Sequence, residues 1–163
     1  MTDFKALLRA LSESGAEFIV IGGVAAAVHG AARATFDLDV VYRRTPDNIS
    51  RLVLALTPYH PYLRGAPPGL PFRWDAPTIL RGLNFTLTTD IGDLDLLGEV
   101  IGGGSYEALL EAAVVIRAFG VECRLLGLDR LIDVKRAAGR PKDFEAVAEL
   151  EMIRDRRGNS PPA

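Results

Sequence analysis

A lone cysteine, Cys123, is all the thiol the 163-residue chain carries, which excludes an internal disulfide framework. With only two histidines beside it, the ligands for a closed structural zinc site are missing. Little cysteine also fits a reducing compartment, and the expected location is cytoplasmic. Charge of one sign is equally lacking. Nineteen Lys and Arg against 21 Asp and Glu leave a net −2, so the chain is not a bulk polyanion binder. Any nucleic-acid contact must therefore use a local basic patch. The N-terminal stretch "MTDFKALLRAL" shows no signal-peptide core. Nor does any uncharged apolar run reach about 18 residues, so no membrane span is expected. What is present is a composition that is 48% hydrophobic, enough for a real core in one globular domain. We expect that domain over residues 1–155 and a disordered tail over 156–163.

Helix-forming and strand-forming segments interleave. Phe4, Leu7, Leu8 and Leu11 recur at helical spacing over residues 3–14. "EFIVIGG" reads as a buried strand running into a glycine turn, "VAAAVHGAA" as a helix and "FDLDVVY" as a second strand. Pro46 and Asp47 open a third helix, and a proline- and glycine-rich stretch between Pro58 and Pro77 reads as a long irregular loop. "LNFTLTT" and "DLDLLGEV" form an expected hairpin, "YEALLEAA" a short helix, and "AVVIRAFGVECRLL" two strands turning at Gly120. "LDRLIDVKRAA" is a helix stopped by Gly139. Pro141 starts the last one, expected to face inward with Phe144, Val147, Ala148 and Met152. The pattern is that of an α/β (α+β) chain.

Chemistry concentrates in "VIGGVAAAVHGAARATFDLDVVY", Val20 to Tyr42. Residues i and i+2 of a strand share a face, so Asp37 and Asp39 point the same way, with Cα atoms about 6.5–7 Å apart. Such a pair either lies on the solvent face of an edge strand or flanks metal ions about 3.5–4 Å apart. Mg²⁺, which takes carboxylates together with phosphate oxygens, suits the second reading. Gly22 and Gly23 stand where a strand ends and a helix begins, an arrangement that is either a tight turn or an anion site. Without a side chain, glycine lets a phosphate approach the backbone. No Walker A lysine follows. In "GDLDLL", Asp93 and Asp95 repeat the period-two pattern. Asp95 is the preferred third carboxylate, because Asp93 adjoins the hairpin glycine.

Further candidates each keep two readings. Lys135 falls on the inward stripe of its helix, where it either meets a triphosphate or snorkels outward. Arg33, next to Thr35 ahead of the acidic strand, is a phosphate clamp or a surface arginine. Asp143 lies in the first turn of the last helix, where an acid is ordinarily a capping group. His29 reads as packed or capping rather than as a general base. Trp74 is a loop anchor or a base-stacking platform.

These residues resemble the polymerase-beta-type nucleotidyltransferase superfamily: a Gly-Gly helix turn (Gly22-Gly23), thirteen residues, an hDhDh strand (Asp37-Leu38-Asp39) and a later strand with a lone acid. "HGAARATFDLD" and "LDRLIDVKRAAGRPKDFEAVAEL" further resemble small bacterial nucleotidyltransferases related to abortive-infection, AbiEii-like toxins. The resemblance covers roughly residues 17–150. It implies a nucleotidyltransferase fold, a mixed sheet flanked by helices with further C-terminal helices. It also implies two Mg²⁺ ions held by Asp37, Asp39 and Asp95, and transfer of a nucleotide from an NTP to an acceptor hydroxyl on RNA, tRNA or protein. Gly22, Gly23, Arg33, Thr35, Lys135 and Asp143 are then the expected nucleotide contacts, and a cognate antitoxin is an expected partner. Many members carry serine at the second glycine; here Gly23 leaves only backbone donors. The alternatives are a non-catalytic nucleotide-binding or partner protein that keeps the fold, and a small-molecule enzyme that modifies an antibiotic. Arg33, Arg43, Arg44, Arg64, Arg73 and Arg81 are the arginines available for an RNA-binding rim.

Overall fold

The computed structural model describes residues 1–158. Helix α1 (Phe4–Glu13) is capped by the Asp3 carboxylate, which accepts from the Ala6 N–H, and buries Leu7, Leu8 and Leu11. Strand β1 (Phe18–Ile21) is buried along its whole length and runs straight into α2 (Gly22–His29). Strand β2 (Asp37–Tyr42) and helix α3 (Pro46–Leu56) follow. Then come β3 (Tyr62–Leu63), α4 (Ala76–Arg81), β4 (Asn84–Thr89) and β5 (Gly92–Leu97). A small pair, β6 (Glu99–Val100) and β7 (Gly104–Ser105), precedes α5 (Tyr106–Leu109). The chain closes with β8 (Ala113–Ala118), β9 (Val121–Leu126), α6 (Leu128–Ala138) and α7 (Pro141–Gly158).

Seven strands form one mixed sheet in the order β3-β4-β5-β2-β1-β9-β8. β2 is the middle strand, antiparallel to β1 and parallel to β5. This placement removes the edge-strand reading of Asp37 and Asp39. Leu38 and Val40 are fully buried, while the two aspartates keep partial exposure on the other side of the pleat. Helices α1, α3 and α4 pack on one another, and α2, α6 and α7 make a second group. A buried Asn48 ties the start of α3 to the neighbouring strand ends: it accepts from the Glu17 N–H and donates to the carbonyls of Glu17 and Arg43.

Three expectations are corrected. The stretch 58–77 is not irregular throughout. It holds β3 and a 3-10 turn ending at Tyr59, and α4 starts at Ala76 under an Asp75 cap with a proline in its first turn. The last helix turns a different face inward: Asp143, Val147 and Leu150 are buried, whereas Ala148 is exposed, Phe144 is 61% exposed and Met152 55%. Finally, α7 continues through Gly158, so residues 156–158 of the expected tail are helical. The rest of that tail, 159–163, lies outside the described residues. No helix among the described residues is long and apolar enough to cross a membrane.

Candidate functional site

Register assembles the site. Asp39 pairs with Asp95 across the parallel β2–β5 ladder, and Asp37 with Asp93. In-register residues of neighbouring strands share a face, so all four carboxylates project to one side of the sheet. One oxygen each from Asp37, Asp39 and Asp95 lies within 4.8 Å of the others, close enough to share a cation. They form part of the wall of a cavity of about 630 Å³ bounded by α2, α6 and α7, which contribute Gly22, Gly23, Lys135 and Asp143. Arg33 and Thr35 border it from the segment before β2. The sequence-derived candidates thus converge on one cavity.

Carboxylates held this closely resist ionising together. Burial, a hydrogen bond with Asp95 and the charges of Asp37 and Asp95 push Asp39 up to about 8, with Lys135 pulling the other way. Asp37 is also raised, first by burial and then by Asp95, against the pull of Arg64. Arg64 Nη2 stands 3.0 Å from Asp95 Oδ1. That contact is an ion pair without hydrogen-bond alignment, so this buried oxygen has no hydrogen-bond donor. A site with an unsatisfied buried oxygen and a proton shared between carboxylates fits a hard divalent cation.

The glycines have separate reasons. Gly22 sits at φ +67°, and a Cβ there would lie 2.0 Å from Asp39 Oδ2, so only glycine lets the turn rest against Asp39. A Cβ on Gly23 would meet Thr35 Oγ1 at 2.5 Å. The space that a serine would use at this position is therefore already taken by the Thr35 hydroxyl, which donates to Asp37 O at 3.2 Å. Among the described residues no side chain caps the start of α2, which leaves its first N–H groups for an anion.

The cations differ in availability. Among the described residues Lys135 has no carboxylate within ion-pair reach. Arg33 is held by Glu145 at 3.0 Å and Glu149 at 3.8 Å on α7. Asp143 is buried and its carboxylate takes Arg140 Nε at 2.8 Å. His29 is packed, its Nε2 2.8 Å from Leu126 O and its Nδ1 3.1 Å from Arg157. Trp74 is a loop anchor that donates to Val53 O. Of the rim arginines, Arg43 pairs with Glu17 and Glu107, and Arg44 bonds the Tyr42 hydroxyl and the carbonyls of Ile79 and Leu80. Sequence reasoning missed Arg140 and Lys142 on the cavity wall. Their only signal was a basic pair flanking Pro141 at the start of the last helix. It also left the contact between Arg64 and the aspartates unseen.

No protein-family model matches the sequence, and no curated protein matches it at a significant level. Solved structures do. A candidate nucleotidyltransferase from Thermotoga maritima superposes with a TM-score of 0.51 at 11% identity, over 94% of this chain and 89% of that one. An antigenic nucleotidyltransferase-like protein from Paracoccidioides brasiliensis gives 0.55 at 13% identity, over 91% and 72%. This chain has a nucleotidyltransferase fold. At such identities the likeness speaks for architecture alone, and the chemistry of this nucleotidyltransferase-like chain must be argued from its own side chains.

Proposed function

We propose that the chain, as a single domain, is a Mg²⁺-dependent nucleotidyltransferase that moves a nucleotide from an NTP to an acceptor hydroxyl. The observation that carries this reading is the convergence of Asp37, Asp39 and Asp95 beside the uncapped start of α2. Asp37 and Asp39 would hold two Mg²⁺ ions, and Asp95 the one nearer the acceptor. Bound there, they supply Lewis acidity toward the acceptor oxygen and neutralise phosphate charge.

The remaining steps belong to the chain itself. N–H groups at Gly22 and Gly23 receive phosphate oxygens at the positive end of α2. Thr35 offers a hydroxyl where many family members have a serine side chain, so Gly23 is compensated from the neighbouring segment. That weighs against the non-catalytic alternative. Lys135, with no carboxylate within ion-pair reach among the described residues, neutralises the leaving pyrophosphate. Asp95 accepts the acceptor's proton. Asp143 acts at one remove by fixing Arg140 at the cavity wall, and Arg33 exchanges Glu145 for a phosphate. The toxin-like resemblance makes RNA, tRNA or protein the acceptor classes and a cognate antitoxin the partner, in the cytoplasm.

Incubation with each labelled NTP, Mg²⁺ and total RNA tests the proposal. Label should appear on RNA or on protein with the wild type and vanish with Asp39→Asn. NTP binding with no label on any acceptor overturns catalysis and favours the non-catalytic alternative.

A further inference from the structure

The carboxylates carry a cation of their own. Arg64 directly follows β3, near the outer margin of the sheet, and its backbone N–H donates to Thr86 O at 3.0 Å. Its side chain folds back over β4, where Nε and Nη2 donate to Leu87 O at 3.2 and 2.8 Å. The guanidinium then reaches three acids: Asp37 Oδ2 at 3.4 Å, Asp93 Oδ2 at 3.5 Å and Asp95 Oδ1 at 3.0 Å. Two of these belong to the set that can share a metal. Planar guanidinium groups suit such bridging of carboxylates. Arg64 reaches the acids of β5 and β2 from the β4 side of the sheet, whereas Gly22 and Gly23 approach them from the β1 side, where β1 runs into α2.

That position has a chemical meaning. In-line phosphoryl transfer places the attacking and leaving oxygens on opposite sides of phosphorus. With the phosphates toward α2 and Lys135, the acceptor must come from the side that Arg64 covers. A guanidinium and a divalent ion drawing on the same oxygens repel each other, so full occupancy by both is disfavoured. The backbone beside Arg64 is unencumbered: Gly65 follows it at φ +75°, and beyond its chain neighbours no atom of the described residues lies within 4 Å of where a side chain would begin.

We propose that Arg64 is a displaceable counter-cation of the triad, which closes the acceptor side in the metal-free protein and withdraws when a divalent ion loads. This rests on the reading above that the triad is a metal site. The arrangement couples metal loading to acceptor access and keeps the acids paired until then.

Two measurements on the full chain test it. Mn²⁺ affinity is read from the free-ion electron paramagnetic resonance signal for wild type, Arg64→Gln, Arg64→Lys and Asp39→Asn. Removing a competing cation should tighten Mn²⁺ binding by about tenfold, within the usual span of coupling between antagonistic ligands. Arg64→Lys, which keeps the charge, should stay near wild type and serves should Arg64→Gln fail to fold. In the wild type, the ¹⁵Nε–H resonance of Arg64, hydrogen-bonded to Leu87 O, should lose protection from water exchange as diamagnetic Mg²⁺ saturates. An Arg64 resonance that stays protected at saturation, or an Arg64→Gln affinity equal to or weaker than wild type, overturns the proposal and leaves the metal site standing. Wild-type Mn²⁺ binding no better than that of Asp39→Asn overturns the metal site, and the Arg64 proposal with it.

Discussion

Titrating the metal-free protein from about pH 4 to about pH 9 should unload the proton that Asp39 retains in the folded state. The unfolded chain loses that proton near the ordinary 3.8, whereas the folded one holds it to about 8. Between those limits the native state binds more protons, so stability falls as pH rises. The contribution is complete below the unfolded value and gone once pH passes the folded one. At about 1.4 kcal/mol per unit, the interval from 3.8 to about 8 caps the loss at about 6 kcal/mol. Water entering beside the partly exposed Asp37 brings the expected loss to about half of that. For a chain of this size, about 3 kcal/mol is a fall in Tm of about 6–12 °C. Calorimetry in a chelator across this range gives the curve, and Asp39→Asn supplies the control, since the amide cannot ionise. The wild-type minus Asp39→Asn difference removes contributions from other groups. Saturating Mg²⁺ should flatten the wild-type curve, adding about 2.7 kcal/mol at one hundred times its Kd. Parallel curves for wild type and Asp39→Asn would refute the argument that the triad is a strained, proton-sharing cluster.

Other perturbations follow from the same geometry. Lys135→Met keeps the stem and removes the ammonium; transfer should fall by about 10²–10³, the usual cost of one preorganised electrostatic group, with the fold intact by circular dichroism. Gly23→Ala should destabilise by about 1–3 kcal/mol through the clash with Thr35, and Thr35→Gly should recover most of that in a double-mutant cycle measured by urea melts. An additive cycle would show that the two positions do not share that space. Phe144→Ser, on the exposed face of α7, should change stability by no more than about 0.5 kcal/mol; a loss of several times that would return Phe144 to the core.

The parts of the site readable in the sequence are those set by local periodicity. Alternation put Asp37 beside Asp39, the hairpin glycine next to Asp93 favoured Asp95, and two glycines marked a strand-to-helix turn that a side chain would obstruct. Unreadable were the contacts made by sheet order. Arg64 reaches the acids only because β3 pairs with β4, a pairing that no local spacing encodes, whereas the β4–β5 hairpin was legible. Helix α4 escaped notice because six residues with one buried side chain, Ile79, leave no period to detect, although Asp75 and the proline after it were capping signals. In α7 the phase was misjudged. Phe144 drew the apolar face one residue too far, since the helix instead turns Asp143 inward to meet Arg140.

The central position of β2 sets which parts of this molecule can move during a reaction cycle. Asp37 and Asp39 sit on a strand whose backbone amides are bonded to β1 on one side and β5 on the other, at the heart of the ladder. Hydrogen exchange there should proceed only through near-global opening, so the acids persist as long as the fold does. Mobility must instead come from the perimeter: the segment 30–36 carrying Arg33 and Thr35, the stretch after Arg64, and the turn between α6 and α7. A ligand entering the cavity therefore meets fixed acids and adjustable cations, so slow exchange at β2 with fast exchange at those three segments should persist whether or not a nucleotide is bound.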